Sequence, residues 1–197
     1  MKKLNFTFLA LLMTCIVYSC SNSPKKTKDT NTTAGDSLPG YHSDTSLKNP
    51  ADTAVNVSTT FALKAAAGGT MEVMLGNIAQ QNAHSLRVKK FGAMMVKDHT
   101  KANKELMALA DSKNILIPSK LPDAIQNHID QINKYKGADF DKHYMEMMVD
   151  DHKEDIDLFS KKAKDQKDTT FKAFASKTLP VLNMHLDSAK AIKKDIK

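Results

Sequence analysis

VKKFGAMMVKDHTKANKELMAL, residues 88–109, carries its apolar side chains at Val88, Phe91, Met95, Ala102, Leu106 and Leu109. Steps of three, four and seven put these on one stripe of an α-helix, which repeats about every 3.6 residues. His99, four residues after Met95, stands on the same stripe where an apolar residue belongs. The six residues ending there, Met94-Met95-Val96-Lys97-Asp98-His99, return as Met147-Met148-Val149-Asp150-Asp151-His152, with only Lys97 and Asp150 differing. Two helices thus present Met, Asp and His alike, which predicts a quasi-symmetric site between them.

Helical periodicity extends outward from this segment over residues 59–197. A first helix is expected over 60–82, with Phe61, Ala65, Gly68, Leu75 and Ala79 on its stripe. Ser85 reads as the cap of the second, which continues to Lys113, and residues 114–122 form a break with two prolines. A short helix over 123–136 should stop at Gly137. Asp139 reads as the cap of a third long helix reaching Asp165, with Met145, Met148, Ile156, Phe159 and Ala163 on its stripe. Asp168 or Thr169 opens the last, which buries Phe171, Ala175, Thr178, Leu182, Ala189 and Ile192. Pro180 lies inside that pattern and should kink or split the helix. No segment reads as a strand. The expected fold is all-α: an antiparallel four-helix bundle with a short extra helix between the second and third long helices.

Each long helix carries one polar residue on its apolar stripe: Glu72, His99, His152 and His185. Measured from the turns, these lie a dozen to seventeen residues along their helices, or roughly 18–26 Å at 1.5 Å per residue. In an antiparallel bundle they should meet in one layer. An unsatisfied buried polar group costs about 1–3 kcal/mol, so the four must satisfy one another, hold water, or hold an ion. Three imidazoles with a carboxylate suit zinc, iron or copper. Asp98 and Asp151 stand next to two of the histidines as residues that orient or complete the shell. Met95 and Met148 precede the same histidines by four residues, as core filling or as auxiliary soft donors. The competing reading is a metal-free hydrogen-bond network that only fixes helix packing, in a structural or interaction module. His84, His128 and His143 fall outside the layer.

The chain's beginning has a different character. Lys2 and Lys3 precede an apolar stretch from Phe6 to Tyr18, too short to span a bilayer as a helix, and Val17-Tyr18-Ser19-Cys20 follows. An apolar residue at −3 and a small one at −1 before cysteine resemble a lipoprotein-processing box. Residues 1–19 are therefore expected to be a signal peptide and Cys20 the site of lipid attachment, with lipid holding the protein to a membrane. The setting is the cell envelope, facing the periplasm or the outer-membrane surface. Residues 20–58, rich in Ser, Thr, Asn, Asp, Lys, Pro and Gly, bury too little to order themselves and read as a tether. The chain has two cysteines, Cys15 and Cys20, so a processed domain contains no thiol for disulfides, cysteine-ligated metal or thiol catalysis.

Apart from Lys2 and Lys3, which belong to the expected signal peptide, the basic excess behind the net charge of +7 is spread along the helices among Asp and Glu, and there is no tryptophan. That is a solvated surface and not a nucleic-acid interface. No serine–histidine–aspartate set, phosphate loop or haem motif is present, so no reaction is expected, and no protein partner is indicated.

Residues 61–192 resemble the bacterial domain of unknown function 4142 family. The resemblance rests on Ala66-Ala67-Gly68-Gly69-Thr70-Met71-Glu72, Met95-Val96-Lys97-Asp98-His99, Gly137-Ala138-Asp139-Phe140-Asp141, Met148-Val149-Asp150-Asp151-His152 and Thr178-Leu179-Pro180-Val181-Leu182-Asn183-Met184-His185. It implies a ferritin-like helical fold in an envelope protein and brings no activity. Ferritin-type di-iron sites use Glu-x-x-His on two helices. Here Val96, Val149 and Leu182 stand three residues before the histidines, against ferroxidase chemistry.

If Cys20 carries the anchor, Cys20→Ala leaves the protein unprocessed or releases it from membranes. Fractionation and migration identical to the parent would show that Cys20 is not the attachment site.

Overall fold

A computed structural model describes residues 50–196, and the side chains from residue 56 onward. The expected signal peptide, Cys20 and residues 20–49 of the expected tether lie outside the described residues. Within them the chain forms five helices: α1 (Pro50–Asn82), α2 (Leu86–Ser112), α3 (Asp123–Asn133), α4 (Gly137–Ala163) and α5 (Thr169–Asp195). Among the described residues there is no strand, only a single bridge between Ala83 and Gly137. No described helix is long and apolar enough to cross a membrane.

The boundaries differ from expectation in four places. Firstly, α1 begins at Pro50, so residues 50–58, read from composition as tether, belong to the helix. Proline suits a helix start, because the N–H it lacks would have no partner there. Ser58 explains what holds this end: its hydroxyl donates to Asp168 Oδ2 at 2.6 Å and accepts from Lys162 Nζ at 2.8 Å. Lys162 is itself buried and also donates to Asp165 Oδ2 at 2.9 Å.

Secondly, Ser85 sits at the N-cap of α2, but its side chain makes no capping bond. Asp141 of α4 takes that role, accepting from the backbone N–H groups of His84 at 3.0 Å and Ser85 at 2.7 Å. Thirdly, α3 ends at Asn133, and Gly137 opens α4 instead of closing α3. Its φ of +64° is a conformation glycine adopts without steric cost. Asp139 then falls in the first turn, where a carboxylate complements the helix dipole, and is not the cap. Lastly, α5 runs unbroken through Pro180, so the helix is not split. Pro180 and Ser176, whose carbonyl loses its i+4 donor, are both on the exposed side.

Other local signals are met. Asp168 accepts from the N–H groups of Thr170 and Phe171 and caps α5. The end of α2 is a Schellman turn: Asn114 takes φ +56°, and Ile115 N–H returns 2.9 Å to Ala110 O.

α1 packs mainly on α2 and α4 mainly on α5, with α1–α4 and α2–α5 contacts closing the bundle. The α1–α2 approach is set by two glycines. A Cβ on Gly92 would lie 2.7 Å from Gly76 O, and one on Gly76 would lie 2.6 Å from Gly92 O. The backbones touch, with room for no side chain. The apolar interior forms two clusters, one around Phe91, Phe140, Tyr144 and Met148, the other around Phe61, Phe159, Phe171 and Phe174. On α2, α4 and α5 the change from one cluster to the other falls at His99, His152 and His185.

Because the crossing has no slack, Gly92→Ala must push α1 and α2 apart. Overpacking of this kind costs about 1–3 kcal/mol, read as a lower denaturant midpoint. An unchanged midpoint would show that the crossing gives way freely.

Candidate functional site

The four polar intruders come together. Glu72 on α1, His99 on α2, His152 on α4 and His185 on α5 are exposed by only 1%, 6%, 0% and 0%. The imidazole centroids form a near-equilateral triangle: 5.7 Å for His99–His152, 5.3 Å for His99–His185 and 5.3 Å for His152–His185. One ring nitrogen from each can be chosen so that all three lie within 4.8 Å of one another.

Two of the rings are held from outside through one nitrogen, and the third has a carboxylate beside it. His152 Nδ1 donates to the backbone carbonyl of Met148, one turn earlier, at 2.9 Å. His185 Nε2 donates to Asp98 Oδ2 at 3.0 Å. His99 Nδ1 lies 2.7 Å from Glu72 Oε2, though off the direction of a true hydrogen bond, and Glu72 Oε1 is 3.4 Å from His152 Nδ1. The opposite nitrogens, His99 Nε2, His152 Nε2 and His185 Nδ1, are buried without any partner.

The family repeat Met-Val-x-Asp-His is therefore used asymmetrically. Asp98 crosses to His185, whereas Asp151 reaches no imidazole and its buried Oδ2 has no partner. Met148 serves through its carbonyl oxygen. The Met95 and Met148 side chains are fully buried in the apolar cluster. His84 and His128 are exposed, and His143 stacks on Tyr135 at 4.0 Å.

Two further residues belong to this site that periodicity did not single out. Asp155, three residues after His152 on α4, is near enough for its charge to act on both Glu72 and His99. Its position one turn beyond a histidine is the signal that could have marked it. Tyr144, two turns before His152, buries a hydroxyl without a partner. As an aromatic on an apolar stripe it looked like ordinary core.

Sequence comparison supports the resemblance drawn from these motifs. The family described as Domain of unknown function (DUF4142) matches residues 44–192, which include all five helices but for the last turn of α5. The chain belongs to the DUF4142 family. No curated protein and no solved structure matches it. In this DUF4142 protein, the histidine layer lies wholly inside the matched region.

Burial dominates the electrostatics. It lowers all three histidines below their usual value, His152 to about 4, against the opposing pull of Glu72. It raises Glu72 from 4.5 to about 7, opposed by His152. Burial also raises Asp151, Asp155 and the Tyr144 phenol, reinforced by the charge of Glu72. At neutral pH the imidazoles are uncharged, so their free nitrogens carry lone pairs.

A carboxyl with a raised folded pKa binds its proton more tightly in the native state. Its stabilising contribution is whole below pH 4.5 and is lost as pH rises through about 7. Glu72→Gln removes that dependence. With chelator present, the parent should lose about 3 kcal/mol relative to Glu72→Gln between pH 4.5 and pH 8. Parallel stability–pH curves from urea unfolding would mean that Glu72 ionises normally.

Proposed function

We propose that this DUF4142 protein binds one transition-metal ion through His99, His152 and His185, inside a ferritin-like four-helix bundle that Cys20-linked lipid carries on a cell-envelope membrane. The observation that carries the metal reading is the set of three buried imidazole nitrogens left without partners, with the other nitrogen of His152 and of His185 held by a hydrogen bond. Metal-binding histidines are oriented this way, with the far N–H given to a carbonyl or carboxylate. Three neutral nitrogen donors suit zinc, iron or copper and leave a coordination position open.

Glu72 then has a different role from the histidines. It touches Nδ1 of His99 and of His152, across each ring from the free Nε2. In this reading it is the carboxylate that lies against His99 Nδ1, where Asp98 is the one that hydrogen-bonds His185. The carboxylate-poor donor set argues for binding and against ferritin-type oxidation. A layer that served packing alone would be expected to satisfy its own polar atoms, and seven buried side-chain N/O atoms, most of them in this layer, are unpaired.

Metal at a hundredfold excess over Kd should stabilise the full chain by roughly 2.7 kcal/mol. His99→Ala, His152→Ala and His185→Ala should each abolish most of that gain, while His84→Ala and His128→Ala retain it. Thermal melts with chelator and with zinc, copper or iron measure this. Equal parent melting temperatures under all these conditions would leave a helical packing or interaction module.

A further inference from the structure

The histidine cluster is almost completely shut off from solvent, so an ion needs a way in. Beside it lies a cavity of about 20 Å³, room for roughly one water or one partly dehydrated ion. Its polar walls are Glu72, His99, Asn103, Asp155 and Thr178. His152 and His185 do not line it, so it is not the open coordination position. It lies instead on the Glu72 side of His99, with half-buried Asp155 and Asn103 on its walls.

Gly69 of α1 makes room for one wall of this cavity. A Cβ on Gly69 would collide with Asn103 Oδ1, whereas one on Gly68 would make only ordinary contact, 3.5 Å from Asp155 Oδ1. Gly69 thus admits the Asn103 amide about one turn before Glu72. The Glu72 carboxylate is 1% exposed, and neither oxygen has a hydrogen-bond partner. Carboxyl and amide oxygens on one side of a water-sized space, whose other walls are mostly apolar, suit a divalent cation in passage.

We propose that this cavity is the uptake station for the metal: a transient oxygen-lined site through which a divalent cation passes from solvent, by Asp155 and Asn103, to the histidines. The inference rests on the metal-binding reading above. Asp155 offers carboxyl oxygens, Asn103 replaces part of the ion's hydration, and Glu72 hands it past His99. The station changes how fast the ion arrives and leaves more than how tightly it is finally held.

Stopped-flow mixing of the full chain with cobalt(II) alone tests this, with the absorption of the bound ion as readout. Asp155→Asn, nearly isosteric but unable to give up a proton and become an anion beside the ion, should slow association by about tenfold. Asn103→Leu should plug the passage, slowing association and dissociation together so that Kd moves by less than about twofold. If Asn103→Leu does not fold, as judged by circular dichroism, Asp155→Asn carries the test. A parent that binds cobalt while Asp155→Asn keeps the parent association rate would overturn the uptake station alone, leaving the cavity a water site. A change in Kd through dissociation only would assign these residues to holding the site together, and would equally overturn it. A parent that binds no cobalt would overturn this inference, and the metal reading is then decided by the melts with zinc, copper and iron.

Discussion

Four helices each turn one polar side chain inward at the same depth, and a protein interior tolerates unpaired polar atoms poorly. Much of the architecture serves that layer. The two apolar clusters meet at it, so the core is divided into two halves joined through imidazole rings. The Gly76–Gly92 crossing holds the α1 and α2 backbones in contact, close to where Glu72 meets His99. A wider crossing would take the carboxylate away from the ring.

Burial without full pairing sets the protonation of the layer. Imidazoles held neutral and carboxyls held protonated minimise the charge kept in a low-dielectric space. The same shifts prepare the rings as donors, since a protonated imidazole has no lone pair to offer. Outer contacts differ from ring to ring: a backbone carbonyl accepts from His152, a partly exposed carboxylate accepts from His185, and a buried carboxylate lies beside His99 without a hydrogen bond. The repeated Met-Val-x-Asp-His segment therefore gives two unlike environments, because its copies face different neighbours.

A second polar cluster, Ser58 with Lys162 and Asp168, contrasts with the first. Its hydrogen bonds close on themselves: Ser58 bridges Lys162 and Asp168, and Lys113 stands 3.2 Å from Asp168. Satisfied in this way, it ties the early part of α1 to the turn between α4 and α5. The histidine layer, by contrast, keeps three ring nitrogens unpaired.

The helices, the apolar stripes and the four polar intruders could be read from the chain, because burial imposes a period that each helix repeats alone. Phe61, Leu75, Met95, Phe159 and Leu182 stand buried where their spacing put them. The helix ends were less legible. Asp141 of α4 accepts from the backbone at the start of α2, and Ser58, inside the early part of α1, finds its partner 110 residues away. Asp155, Tyr144 and Asn103 were missed for a related reason: a half-buried acid, an aromatic and an amide look ordinary on their own helices. Sequence by itself determined which faces are buried and that polar groups interrupt them. Only the tertiary structure decided which ring nitrogen is held and which is free, because that depends on neighbours from helices far apart in the chain.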